Sequence, residues 1–178
     1  ILNPQNGTPI TIPSQDMVLG LYYITKGRKT DKDAKVLGEG RSFYSSEEAV
    51  IAYNEGKLDL HAWVKCRVAV KQADGSIKTQ TMETTVGRII FNEVVPEEIG
   101  YLNILLTKGA LKKVISDVLT GTDIPRTVKF LDDIKELGFR WAFKGGLSFN
   151  IDDLIIPEVK QEMLNEAQEE VEEVWANY

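Results

Sequence analysis

The 178 residues predict an α+β fold: a small antiparallel sheet or hairpin packed with several helices, plus a protruding C-terminal helix of coiled-coil type. Three observations carry that prediction. Two extended segments meet across a turn, several other segments repeat apolar residues every three or four positions, and the acidic excess is concentrated at the end of the chain. With 43% hydrophobic and 27% charged residues, a chain of this length buries about 70% of its unfolded surface and needs neither disulfides nor a structural metal. One Cys (Cys66) and one His (His61) exclude the common zinc sites and any disulfide framework. No apolar run reaches the roughly 20 residues that cross a bilayer, and no signal pattern opens the sequence. The expectation is a soluble protein in a reducing compartment.

The sequence opens at Ile1 and closes within a helical run, so it reads as a piece of a longer chain. Asn6-Gly7 is a turn dipeptide, and Pro4, Pro9 and Pro13 around it favour an extended segment. Ser14 stands as N-cap before a short helix, Gln15 to Thr25, with Met17, Val18, Leu21 and Tyr22 on one face. Lys26 to Arg41 has no hydrophobic period, six basic against three acidic residues and three Gly, and reads as an exposed, mobile loop. Ser45-Ser46-Glu47-Glu48 supplies a capping signal for a helix that buries Ala49, Val50, Ala52 and Tyr53 and ends near Gly56. His61 to Val70 alternates, with Ala62, Val64, Cys66, Val68 and Val70 facing inward, as a strand does. Ala73-Asp74-Gly75-Ser76 is a hairpin turn and Ile77 to Thr85 the returning strand.

Val86 to Val95 reads as a helix after the strand ends. Leu105 to Leu119 puts Leu111, Val114, Ile115, Val118 and Leu119 on one face and Lys108, Lys112 and Lys113 away from it, with Gly121 as a stop. Arg126 to Lys144 is a helix with a broad stripe of Phe130, Leu131, Ile134, Leu137, Phe139 and Trp141, ended by Gly145-Gly146. Leu147 to Ile151 is strand-like, and a domain division is placed between residues 150 and 151. From Pro157 a last helix carries a narrow stripe of Val159, Met163, Ala167, Val171, Val174 (or Trp175) and Tyr178. Pro157 to Tyr178 holds seven Glu against one Lys, a balance of −6, which leaves 20 basic and 20 acidic residues in the rest. A narrow stripe in a Glu-rich helix suits a coiled-coil seam; a tail helix lying on its own domain has the same pattern.

No complete active site is legible from residue chemistry. Asp132-Asp133 and Asp152-Asp153 are paired carboxylates that could hold Mg²⁺, but adjacent helix residues point about 100° apart, so a solvated face is the default for the first pair. Capping is the default for the second. His61 lacks a second ligand, and Cys66 belongs to the inner face of a strand. Lys108, Lys112 and Lys113 form a basic face that suits either phosphates or plain solvent. No phosphate-loop motif occurs, Gly38-Glu39-Gly40 is too little for a dinucleotide site, and no nucleophile and base can be paired.

Three stretches together resemble the largest catalytic subunit of bacterial DNA-directed RNA polymerase, β′. They are Asn3 to Pro9 running into Ile12-Pro13-Ser14-Gln15-Asp16-Met17-Val18-Leu19-Gly20-Leu21-Tyr22-Tyr23, then Thr84-Thr85-Val86-Gly87-Arg88, then Ile151-Asp152-Asp153-Leu154-Ile155-Ile156-Pro157. The resemblance covers essentially the whole chain and implies a β′ fragment of a nucleotidyltransferase. Residues 1–150 would be the pore domain that walls the secondary channel, through which nucleotides enter and backtracked RNA emerges. Residues 151–178 would be the first arm of a coiled coil on the channel rim.

The same resemblance implies channel-lining and positioning roles for Gln15, Asp16, Lys112 and Lys113, with no catalytic and no metal-binding residue in the chain. It implies a rim-factor interface at Glu162, Glu166, Glu169, Glu170 and Glu173. No cofactor is expected in this fragment; Mg and Zn belong to other parts of the parent subunit. Implied partners are the α, β and ω subunits, a sigma factor, the rest of β′, DNA template and RNA in the intact enzyme, and Gre-type channel factors, with no membrane. The implied location is cytoplasmic and nucleoid-associated. Some relatives bind guanosine tetraphosphate through an Asp and, one turn later, a Tyr; here Asp132 matches the Asp, but Glu136 replaces the Tyr, so weak or no binding is expected. The alternative of another class is a stand-alone protein-interaction module that uses the acidic C-terminal helix.

Overall fold

The computed structural model describes residues 3–5, 10, 12–31, 35–71, 76–148 and 150–178. It is α+β, as expected, with one three-stranded sheet and six α-helices among the described residues, and it divides into two compact units, Ile1–Gly146 and Leu147–Tyr178. In the first unit, strands β2 (Trp63–Lys71) and β3 (Ile77–Thr85) pair antiparallel, in register from Trp63 opposite Thr85 to Lys71 opposite Ile77. Alternation along β2 buries Val64, Cys66 and Val68, with Ala62 just before it. Residues 72–75, which carry most of the expected hairpin turn, lie outside the described residues, as do residues 6–9 with the Asn6-Gly7 turn. Strand β1 (Ser42–Phe43) adds a parallel edge to β2. Two residues are too few to show alternation, so no period marks it.

Each helix of the body begins on a side-chain cap except the first. In α2 (Ser46–Asn54) Ser45 Oγ accepts from Glu48 N at 3.3 Å, while the Glu48 carboxylate takes Tyr44 N at 2.7 Å. Helix α3 (Val86–Asn92) follows β3 directly under a Thr85 cap, and α4 (Lys108–Gly121) starts under Thr107. Helix α5 (Ile124–Gly145) is capped by Asp123, has Pro125 in its first turn, and ends on Gly146 at φ 55°, a left-handed conformation that suits glycine. Helix α1 (Asp16–Thr25) departs from expectation: Gln15, not Ser14, holds the cap position, with φ 52° and no side-chain cap. A side-chain cap requires extended backbone there, which a positive φ denies.

The main core joins Leu21 and Ile24 of α1 to Phe91, Leu111, Ile115, Phe130, Ile134 and Trp141. Phe139 does not belong to it and is 49% exposed, because nine residues of helix turn it about 180° from Phe130. Glycines set how closely the helices approach. A Cβ on Gly20 would lie 1.9 Å from the Gly138 carbonyl oxygen, one on Gly138 2.7 Å from the Met17 carbonyl oxygen, and one on Gly87 1.8 Å from that of Ile24. The backbones of α1, α5 and α3 therefore touch directly.

The expected mobile loop is more anchored than its composition suggests. Among its described residues, Arg28 N donates to His61 O at 2.8 Å, Gly40 N to Trp63 O at 2.8 Å, and Val36 is buried beside Leu58 and Val64. Two backbone bonds and one buried valine hold it, and neither leaves a period to read.

In the second unit, the strand-like stretch Leu147 to Ile151 forms no strand among its described residues. A single 3₁₀ turn, Ile151–Asp153, follows Asn150, which shares a capping box with Asp153. Asp153 thus caps this turn and not the last helix. Helix α6 (Lys160–Asn177) begins three residues after Pro157, with no side-chain cap at Val159, and none of its residues is buried.

Candidate functional site

Of the two residues singled out at the start of α1, Gln15 lines an open groove of about 460 Å³ and Asp16 lies outside its lining. Ser14, Gln15, Val18, Leu19 and Tyr22 form one side; Leu106, Thr107 and Lys108 form the other. The first turns of α1 and α4 are therefore neighbours, and the positive ends of two helix dipoles, together with Lys108, favour negative charge there. Asp16, the first residue of α1, opposes that field and is exposed. Lys112 lies four residues beyond Lys108 on the same face of α4, and Lys113 stands one residue further round; both are exposed. The structure brings Gln15 and Lys108 to one groove. It leaves Lys112 and Lys113 on the helix that supplies the groove's far wall, outside its lining.

A buried polar network holds α4 in that place. The Arg88 guanidinium donates from Nε to Thr25 O at 3.0 Å and from one terminal nitrogen to Asn103 Oδ1 at 2.9 Å, and it stacks over Trp63 at 4.7 Å from the ring centre. Thr25 Oγ1 donates to Leu21 O at 2.8 Å and accepts Leu106 N at 3.0 Å. The Asn92 amide closes on Leu102 from both sides, donating to its carbonyl at 2.9 Å and accepting its N–H at 2.7 Å. Residues 102–106 are thereby tied to α1 and α3 immediately before α4 begins. Burial lowers the pKa of Arg88 from its ordinary value, and the Thr25 and Asn103 acceptors and the Trp63 ring compensate its desolvation. This network was not foreseen; the signal was Thr84-Thr85-Val86-Gly87-Arg88, read only as a resemblance.

Tyr101 ends the same network. Thr84 Oγ1 lies 2.8 Å from the Tyr101 hydroxyl and donates to Asn103 Oδ1 at 3.1 Å, so the phenol is the donor toward Thr84. Burial pushes the Tyr101 phenol up to about 12, against a smaller downward pull from the Thr84 bond. An unfolded phenol ionises near pH 10. Between about pH 10 and 12 the unfolded state has lost a proton that the folded state keeps, so stability falls as pH rises through that window. Denaturant midpoints measured from pH 9 to 12 are expected to decline, and Tyr101→Phe to flatten that part of the decline.

The remaining candidates are dispersed. Asp132 pairs with Lys135 at 3.1 Å on the open side of α5, where Glu136 is also exposed. Cys66 is buried and its thiol pushed up by burial. Glu162, Glu166, Glu169, Glu170 and Glu173 are all exposed on α6. Among the described residues no group of three His, Cys, Asp or Glu is placed to hold a metal ion, and no helix is long and apolar enough to cross a membrane.

Residues 1–154 match the family described as RNA polymerase Rpb1, domain 3, and the chain belongs to that family. The particular relatives are bacterial β′ subunits, as the three sequence stretches suggested. The chain is 55% identical over 179 residues to DNA-directed RNA polymerase subunit beta' of Phocaeicola vulgatus and 54% identical over 178 residues to that of Bacteroides fragilis. It is 51% identical over 178 residues to that of Flavobacterium johnsoniae. Each comparison covers 100% of this chain and 12% of the relative, so the chain spans about an eighth of their length.

Proposed function

We propose that this chain is the part of a multisubunit, DNA-dependent RNA polymerase that walls the secondary channel and supplies the first arm of its rim. The observation that carries the reading is the match of the entire chain to β′ subunits at about 55% identity. The body acts by positioning. The α1–α4 groove and the Lys112–Lys113 face present Gln15, Lys108, Lys112 and Lys113 to passing triphosphate or RNA phosphate, with Asp16 limiting how tightly anions are held. The phosphoryl-transfer step, with Mg, belongs to residues elsewhere in the parent subunit, as does Zn. The chain alone is expected to add no nucleotides.

On this reading the partners are the α, β and ω subunits, sigma factor, the rest of β′, template DNA and RNA. The location is the cytoplasm, at the nucleoid. The glutamates of α6 face Gre-type channel factors, and Glu136 beside Asp132 keeps guanosine tetraphosphate from binding tightly on α5. The test uses the intact polymerase carrying Lys112→Ala with Lys113→Ala. The KM for nucleotide is expected to rise about threefold to tenfold at low salt, with the effect shrinking as salt is raised. Factor-stimulated transcript cleavage is expected to fall with Glu166→Gln, Glu170→Gln and Glu173→Gln together. An unchanged KM and unchanged cleavage would sink the channel assignment.

A further inference from the structure

The bonds on the β1 side of β2 fix which way the main chain of β3 points. Gly40 N donates to Trp63 O and Lys65 N to Arg41 O, each at 2.8 Å, so Trp63 and Lys65 turn their main-chain groups away from β3. In an antiparallel ladder a residue that turns its groups away faces a partner that does the same, and such pairs alternate with bonded ones. Ile77, Thr79 and Thr81, opposite Lys71, Ala69 and Arg67, therefore direct their N–H and C=O groups outward, as does Glu83 opposite Lys65. Glu83 verifies the phase, because its carbonyl accepts Asn103 Nδ2 at 2.9 Å from the outer side. Among the described residues nothing bonds the outward main chain of Ile77, Thr79 or Thr81.

The two edges of the sheet are defended unequally. Past the short β1, the free edge of β2 presents Arg67, Ala69 and Lys71, and charged side chains of this kind keep other strands off. The free edge of β3 presents Ile77, Thr79 and Thr81, which are β-branched and exposed, with no proline and no break in the register against β2. An open row of strand-forming residues is a template for another extended chain. This chain spans about an eighth of its relatives' length, so the parent polymerase has ample chain to supply one.

We propose that β3 takes a fourth strand: an extended segment of the parent polymerase from outside these 178 residues, which pairs with residues 77–81 through main-chain hydrogen bonds and carries a carboxylate beside Lys78. Asn103 sets its limit, because it occupies the Glu83 carbonyl and stops the ladder after Thr81. Lys78 sets its charge. It is exposed and belongs to no ion pair among the described residues, and the residue opposite it on an added strand shares its face. None of these residues belongs to the α1–α4 groove or to α6, so failure here leaves the channel assignment standing.

Residue-resolved hydrogen exchange tests this on the intact polymerase and on the 178-residue chain. In the chain alone the N–H groups of Lys78, Gln80 and Met82, which face β2, are expected to be protected, and those of Thr79 and Thr81 to exchange freely. In the polymerase Thr79 and Thr81 are expected to slow at least about hundredfold. Thr79→Pro removes an outward N–H and spares the β2 ladder, so in the polymerase it is expected to return Thr81 to fast exchange while Gln80 stays protected. Lys78→Glu is expected to speed exchange at Thr81 about fivefold. Free exchange at Thr79 and Thr81 in the wild-type polymerase overturns the fourth strand. Protection of Thr81 that survives Thr79→Pro overturns it too, since a helix or loop laid over the edge needs no adjoining ladder. Should that variant lose protection at Gln80, and so have unfolded, the wild-type comparison and Lys78→Glu decide the matter. Unchanged exchange in Lys78→Glu overturns the carboxylate, and protection that appears in the chain alone and grows with its concentration gives the edge to a second copy instead.

Discussion

Gly138→Ala is expected to lower the stability of the chain by about 2 to 4 kcal/mol, with Gly20→Ala costing at least as much. Two opposing effects meet at these positions. Alanine in place of glycine favours a helix by about 1 kcal/mol. The added methyl, however, would stand 2.7 Å from the Met17 carbonyl oxygen at Gly138 and 1.9 Å from the Gly138 carbonyl oxygen at Gly20. These are backbone atoms of a packed helix, which cannot rotate aside as a side chain could. Relief requires α1 and α5 to separate, which loosens Leu21, Ile24, Ile134 and Trp141 together. Denaturant midpoints at constant slope measure the loss, and because both substitutions disrupt one contact, their costs should not add. Gly109→Ala is the control of opposite sign: it lies in α4 with open space at the Cβ position, and is expected to stabilise by about 0.5 to 1 kcal/mol.

The second large effect is expected at Arg88. Arg88→Ala removes two good hydrogen bonds to Thr25 and Asn103 and the stacking on Trp63, takes the guanidinium donor from the Thr25 carbonyl, and leaves Asn103 Oδ1 with Thr84 alone, for a loss of about 4 kcal/mol. Arg88→Lys should restore little of it. An ammonium keeps the charge but lacks the planar fork that reaches Thr25 O and Asn103 Oδ1 from one side chain, so about 2 to 3 kcal/mol remains lost. Hydrogen exchange distinguishes this from a general loosening. Protection should fall first at Leu102 and Leu106, whose N–H groups are held by Asn92 and Thr25, before it falls in β2 and β3. Uniform loss of protection across the body would count against the network as the element that places α4.

Much of the architecture was legible because it depends on local pattern. The alternation of Ala62, Val64, Cys66 and Val68 names a strand, and Ser45 and Gly146 mark helix ends by chemistry that acts over three or four residues. What the pattern missed depends on partners distant in sequence. Val36 is buried by Leu58 and Val64, β1 exists only because β2 accepts it, and Gly20 is required only because Gly138 faces it. The cap at Gln15 failed for a different reason, since a positive φ at a non-glycine residue contradicts the local preference that placed Ser14 there. Of the candidate site, residue types gave Lys108, Lys112 and Lys113 as a basic face and the resemblance gave Gln15 and Asp16, but only geometry separated the groove from the outer face of α4. Arg88 could not be found by period at all, because a buried guanidinium in a short helix looks like a surface residue in a linear pattern.

The bond between Thr25 and Leu106 spans 81 positions of sequence, and it sets a clock on biosynthesis. At ribosomal speeds of about 5 to 20 residues per second, α1 waits on the order of 4 to 16 s after its own appearance before the segment that completes its end has been made. The surface of α1 that will meet α5 waits longer still, until Gly138 arrives. Throughout that interval Leu21 and Ile24 lack the cover that Ile134 and Trp141 later give, so the helix that begins at the groove exposes apolar surface for seconds before its core is complete.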